Sequence, residues 1–169
     1  DIEGGELGGE EMVKGAFDAA KVLKGQPYDL VLATAEPEDI SRFVAHYFGP
    51  TAQSSGGRVE VAAASQQLPK RLEKPIEVYR NFPDSGIRVA MNRARDTANS
   101  VVISPASTGL VMAAALFTLG RVRGVDRVPI GTPMPSRNGE LFFVDGGSNV
   151  DCRPVHLYQF AVLAHIYMQ

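Results

Sequence analysis

Met12, Val13, Ala16, Phe17, Ala20 and Leu23 recur at the spacing of one helical face, and so do Ile40, Phe43, Val44, Tyr47 and Phe48. Ile87, Ala90, Met91 and Ala94 repeat the pattern, as do Phe160, Leu163, Ala164 and Tyr167. The ends agree. Gly25 closes the first helix, and Pro37 with Glu36, Glu38 and Asp39 opens the second, where acids favour the positive end of the helix dipole. Asp84 or Ser85 caps the third, and Pro154 opens the last. Two short apolar runs, Leu30-Val-Leu-Ala33 and Val101-Val-Ile103, lack polar alternation, as expected of strands covered on both faces. Residues 58–63 read as another strand, and residues 128–132 and 140–144 as two more, antiparallel because the link between them is too short for a helical crossover. The polar segment through Pro69 and Pro75 matches no element and is a candidate mobile lid. Alternation of strand and helix predicts an α/β fold, a largely parallel sheet flanked by helices, as one domain over residues 1–169.

The run at 101–103 leads into Ser104-Pro-Ala-Ser-Thr-Gly109 and then an apolar helix. Small residues permit a sharp turn, and Ser107 or Thr108 can cap the helix that begins near Gly109. Such a cap leaves other N–H groups open, and a helix N-terminus after a strand is a cradle for phosphate or another anion. An ordinary capped turn is the alternative. Two glycine-bearing loops have the same potential, one at Gly4 and Gly5 and one over residues 145–151. In open α/β sheets ligands bind at the carboxyl ends of the strands, where these loops fall.

Length and composition narrow the setting. The 169 residues suit one well-buried domain, and 44% hydrophobic with 21% charged residues is the balance of a globular protein. A net charge of −2 offers no bulk attraction to nucleic acid, so no nucleic-acid partner is expected. The apolar run at 110–119 is too short for a membrane span, and no leader pattern opens the chain, which points to a cytoplasmic address. One cysteine, Cys152, excludes an internal disulfide, and three scattered histidines make no cluster at metal-ligand spacing. No metal and no cofactor are expected.

Four motifs together resemble one family, the PlsX-type phosphate acyltransferases of bacterial phospholipid synthesis, over most of the chain. Asp1-x-x-Gly4-Gly5-Glu6 resembles the family's Asp-x-Met-Gly-Gly-Asp loop, and Ser104-x-x-x-Thr108-Gly109 its Ser-Ala-Gly-Asn-Thr-Gly turn. Gly124-Val-Asp-Arg127 is similar to its Gly-x-x-Arg. The most specific match is Asp145-x-Gly147-x-Asn149-Val150-Asp151-Cys152, similar to Asp-x-Gly-Ala-Asn-Val-Asp-Cys. Departures include Glu3 for Met, Glu6 for Asp, Gly9 for Pro, and Pro105, Ala106 and Ser107 for Ala, Gly and Asn. Arg80-Asn-Phe-Pro83 stands where the family tends to carry a basic run. The resemblance places the chain as an amino-terminal piece of a longer enzyme. It implies a fold like that of isocitrate and isopropylmalate dehydrogenases and phosphotransacetylase. It also implies inorganic phosphate and acyl-acyl carrier protein as substrates, acyl phosphate as product and a homodimer. Any peripheral membrane contact would come through regions outside this chain.

That reaction needs positioning and oxyanion stabilisation, since phosphate is ionised and a thioester activated at neutral pH. The resemblance then makes Asn149, Ser104 and Thr108 catalytic candidates. Gly4, Gly5, Ser107, Gly109, Gly146 and Gly147 become phosphate-binding candidates, each glycine having the alternative of a turn with positive φ. Asp1, Asp145 and Asp151 would repel phosphate and are read as shaping the loops. Asn149 carries a neutral amide able to donate to an anion, with a left-handed turn residue as its alternative. Arg121, Arg123, Arg127, Arg137 and Arg153 make a locally basic segment suited to steering an acidic carrier protein, against the alternative of scattered surface pairs. Two other functions fit the same residues: a phosphotransacetylase-like relative using another acyl donor, and a non-catalytic phosphate- or carrier-binding domain. A nicotinamide-dependent dehydrogenase fits poorly, because no Gly-x-Gly-x-x-Gly opens a strand–helix unit.

Overall fold

A computed structural model describes residues 1–54, 56–69, 74–137 and 139–169. The chain forms two compact units, Asp1–Leu119 and Gly120–Gln169.

The first unit contains helices α1 (Gly9–Val22), α2 (Pro37–Phe48), α3 (Pro75–Asn81), α4 (Gly86–Asp96) and α5 (Thr108–Thr118), with strands β1 (Leu30–Thr34) and β2 (Val59–Ala63). The strands pair in parallel with Leu30 opposite Val59 and Leu32 opposite Val61. Successive side chains of a strand point to opposite faces, so these four share one face, and all of them join Val13, Ala20, Ile40, Val44 and Phe48 in one core. Burial of a side chain such as Ile40, 1% exposed, contributes about 1.5–3 kcal/mol. Glu60 lies on the other face, where Arg93 of α4 pairs with it. The parallel pair is therefore flanked by α1 and α2 on one side and α4 on the other, the mixed α/β arrangement expected from the strand–helix rhythm. A second core joins Leu68, Val78, Ile87, Met91, Leu110 and Ala114, binding α3, α4 and α5 together.

Helix bounds follow the periodic positions closely, with Pro37 beginning α2 and Ser85 preceding α4. Two expectations change. The Val101-Val-Ile103 run joins no ladder among the described residues, and Val101 and Ile103 are 87% and 77% exposed. Only Val102 packs, against the second core, and the Ile103 carbonyl accepts from Asp1 N at 3.1 Å. A β-branched run favours extension, but a strand also needs a backbone neighbour. Helix α3 was not anticipated; Pro75 at its first turn starts it and Val78 anchors it. The candidate lid includes residues 70–73, which lie outside the described residues.

The second unit is a hairpin with one helix: β3 (Gly131–Ser136) pairs antiparallel with β4 (Gly139–Val144), followed by α6 (Pro154–Tyr167). The antiparallel pairing was expected, but the first strand lies further along the chain than residues 128–132. Pro133 and Pro135 have the same parity, opposite Phe142 and Glu140, so both can turn the position lacking an N–H away from β4. A two-stranded sheet tolerates this because that side is an open edge. Phe142 stacks on Tyr167 with ring centroids 4.7 Å apart, tying the hairpin to α6.

Candidate functional site

In the first unit the Gly4-Gly5 loop lies directly on the 104–109 turn. A Cβ on Gly4 would meet the Ala106 Cβ at 2.9 Å, and one on Gly5 would meet the Pro105 Cβ at 2.8 Å. Gly4 also has φ +82°, so glycine there answers both a left-handed backbone and a close approach. Asp1, only 8% exposed, holds the two segments together. Its Oδ2 accepts from the Ser104 hydroxyl at 2.5 Å and its Oδ1 from the Glu3 N–H at 3.1 Å. Ser104 Oγ in turn accepts from the Ala106 N–H at 3.2 Å. The Ser104 hydroxyl proton is thus engaged by a carboxylate, which gives this side chain a place in the turn's internal geometry.

Helix α5 begins above this junction with Ser107 as N-cap, but neither Ser107 nor Thr108 makes a side-chain cap. The Ser107 carbonyl accepts from Leu110 and Val111 N–H at 2.9 and 3.0 Å. Among the described residues, the amides of Gly4, Gly5, Thr108 and Gly109 donate to no protein acceptor. Gly4, Gly5, Ser107 and Thr108 are exposed and Gly109 is half-buried, so solvent or an anion can reach them. The missing hydroxyl cap leaves this helix end with more open donors than a capped turn would have.

Glu3, which drew no role from the sequence, is the strut beneath the loop. Its Oε1 accepts from the Ala35 N–H and from Thr34 Oγ1, the latter at 2.9 Å. Thr34, 1% exposed, accepts from the Glu36 N–H at 2.9 Å. A carboxylate at position 3 therefore latches the glycine loop to the carboxyl end of β1, and its Oε2 is buried without a partner among the described residues. No local pattern announces this contact, because its ends are 31 and 32 residues apart.

In the second unit the 145–151 loop is organised around Asp145, a left-handed residue with φ 62°. Its N–H donates to the Ile130 carbonyl at 2.6 Å and its carbonyl accepts from the Gly147 N–H at 2.8 Å. The Asp145 Oδ1 accepts from the Ser148 hydroxyl and, at 3.1 Å, from Asn149 Nδ2. The same Nδ2 lies 3.1 Å from the Val128 carbonyl and 3.3 Å from Ser148 Oγ. Asn149 has only two N–H bonds to give, and acceptors inside the loop already face them. The left-handed residue is Asp145, with Gly147 at φ 111°, and not Asn149. Gly146 is exposed and its amide donates to no acceptor among the described residues. A Cβ there would meet the Phe143 ring at 2.7 Å. Asp151 is exposed, and its carbonyl accepts from Arg127 at 2.7 Å. Cys152 is a free thiol 3.9 Å from Asp145 Oδ2. Of the basic residues, Arg153 lies 3.7 Å from Asp126 and Arg121 donates to the Asp126 carbonyl.

Residues 1–169 match the family described as fatty acid synthesis protein. The chain belongs to that family. A protein named phosphate acyltransferase from Desulforamulus reducens is 34% identical over 169 residues, which is 100% of this chain and 47% of that protein. One of the same name from Pelotomaculum thermopropionicum is 35% identical, covering 99% of this chain and 46% of that protein. Another, from Thermosynechococcus vestitus, is 34% identical, with 100% and 46% covered. The chain spans about half the length of the curated relatives it matches. The family resemblance drawn from the four motifs is borne out. No helix among the described residues is long and apolar enough to cross a membrane.

Proposed function

We propose that this chain is the amino-terminal part of a phosphate acyltransferase that moves a fatty acyl group from acyl-acyl carrier protein to inorganic phosphate, giving acyl phosphate for phospholipid synthesis. The observation that supports this reading best is the glycine loop seated on the 104–109 turn with the amides of Gly4, Gly5, Thr108 and Gly109 open. Backbone donors suit phosphate because they are fixed in place and add no competing charge. In the reaction a phosphate oxygen attacks the thioester carbonyl carbon, the C–S bond breaks, and the proton of hydrogen phosphate leaves on the departing thiol. Fixed donors lower the cost of the oxyanion that forms between these events. Thr108 and Ser107 would add hydroxyl donors at the helix end. Asp1, Asp145, Ser104 and Asn149 act through loop geometry, since their polar atoms are engaged by protein partners: Ser104 with Asp1, and Asn149 with Asp145 and the Val128 carbonyl. This reading brings with it a fold like that of isocitrate and isopropylmalate dehydrogenases, a homodimer, a cytoplasmic location and steering of the acidic carrier by the arginines from 121 to 153.

Engagement of Ser104 and Asn149 also favours a second reading, a phosphate- or carrier-binding domain without turnover, and a phosphotransacetylase-like relative differs only in its acyl donor. One assay separates the three. Acyl phosphate is trapped with hydroxylamine after incubation of phosphate with either acyl-carrier protein or acyl-coenzyme A. The expected result is product from the carrier-bound donor with the full-length protein, and phosphate binding without turnover by the 169-residue chain. Preference for the coenzyme A donor would select the relative, and phosphate binding without product from either donor would select the binding domain.

A further inference from the structure

We propose that Glu3 is the positioning residue of the phosphate loop: by tying Gly4 and Gly5 to the carboxyl end of β1, its carboxylate fixes where their open amides stand and so sets the affinity for phosphate. This rests on the acyl-transfer reading and deepens its phosphate site. Residue 3 directly precedes those amides and is held twice. Its own N–H donates to Asp1 Oδ1 at 3.1 Å, and its Oε1 accepts from the Ala35 N–H and, at 2.9 Å, from Thr34 Oγ1. With backbone and side chain both fixed, the next two peptides start from a set point. Residues 4–8 are all exposed, so burial does not hold the loop beyond it.

Two features of the latch favour a role in binding over one in stability alone. Its anchor is rigid: Thr34 is 1% exposed, ends β1 opposite Ala63, and its carbonyl accepts from the Ala64 N–H at 2.7 Å. Thr34 Oγ1 also accepts from the Glu36 N–H at 2.9 Å, and the Glu36 carboxylate accepts from Gln67 Nε2 at 2.8 Å, so the loop is referred to the sheet and to both segments that leave it. Donors fixed before the ligand arrives lose no binding energy to being ordered, and a rigid anchor supplies that. The second feature is Glu3 Oε2, buried with no partner among the described residues, a state that costs a carboxylate oxygen stability. Charge then gives a test of sign. A carboxylate beside an anion site repels phosphate, so if charge alone mattered, removing it would tighten binding. Positioning requires the opposite.

The test is binding of inorganic phosphate by calorimetry, with steady-state turnover beside it, on the full-length protein. Glu3→Met keeps the length of the side chain and loses both acceptor bonds, and Thr34→Val removes the hydroxyl donor at nearly constant shape. Glu3→Gln removes the charge and keeps an amide oxygen that can accept both bonds. A hydrogen bond to a charged group is worth about tenfold or more, so Glu3→Met should weaken phosphate binding by about tenfold. Thr34→Val should weaken it by about threefold, because the Ala35 bond remains, and Glu3→Gln should stay within about twofold of the parent. In turnover, Glu3→Met should raise KM for phosphate and leave KM for the acyl donor within about twofold, a split that general loss of structure would not give. Phosphate binding by Glu3→Met as tight as the parent's or tighter overturns the proposal, and so does a loss in Glu3→Gln equal to that in Glu3→Met. If Glu3→Met does not fold, parental binding by Thr34→Val overturns it instead. No phosphate binding by the parent overturns both this proposal and the acyl-transfer reading. Weakened binding in Glu3→Met and Thr34→Val with rescue in Glu3→Gln upholds the proposal even if no acyl phosphate forms from any donor, an outcome that would overturn the acyl-transfer reading alone.

Discussion

Gly4→Ala puts the contact between the glycine loop and the 104–109 turn to a quantitative test. Two costs add. A non-glycine residue at φ +82° pays about 1–2 kcal/mol for the left-handed backbone. The new methyl would sit 2.9 Å from the Ala106 Cβ, and overpacking of that kind costs about 1–3 kcal/mol. The single variant should therefore lose about 2–5 kcal/mol, a large share of a small unit's stability. Ala106→Gly removes the atom that the methyl would strike but leaves the backbone term. In that background Gly4→Ala should lose only about 1–2 kcal/mol, so the coupling energy should be about 1–3 kcal/mol. Urea denaturation of the four proteins, followed by circular dichroism, measures all three quantities. Phosphate affinity should fall with the single variant and recover in part with the double. A coupling energy near zero would show that the glycine loop does not rest on the turn, and the phosphate-site reading would lose its structural basis.

Asn149→Ala should destabilise the second unit by about 1–3 kcal/mol, because the Val128 carbonyl and Asp145 lose a shared donor; unchanged urea stability with a large drop in turnover would return Asn149 to direct contact with the reacting anion. His156 is buried, and desolvation, followed by Arg153 and Arg127, lowers its imidazole pKa. The folded state thus holds His156 neutral, its Nδ1 accepting the Arg153 N–H at 3.1 Å. The unfolded chain binds the proton more readily, so this contribution is present above the ordinary imidazole value near 6.5 and is lost as pH falls through the folded value. Stability compared at about pH 7.5 and about pH 5.5 should drop for the parent and less for His156→Gln; equal slopes would remove His156 from the account.

Helical faces were legible in the sequence because their spacing is a local property. Ile40, Val44 and Phe48 lie on one side of α2 whatever they pack against, and Ile87 and Met91 do the same on α4. The parallel pairing of β1 and β2 followed from the helix between them, and the antiparallel pairing of β3 and β4 from their short link. The glycine motifs also marked which segments make loops and which family the chain joins. Other features depended on neighbours distant in sequence. Val101, Val102 and Ile103 have strand propensity, but Asp1 meets Ile103 where a strand would, and no ladder forms among the described residues. Pro133 and Pro135 fell in the link between the two expected strands, whereas the hairpin's open edge gives them a side where a missing N–H costs nothing. Asn149 showed a free amide in the sequence, whereas the fold brings the Val128 carbonyl to it from 21 residues away. Glu3 found Thr34 in the same way. Side-chain type sets what a residue can donate or accept, but only tertiary contacts decide which of those bonds are already made, and so which donors remain for a ligand.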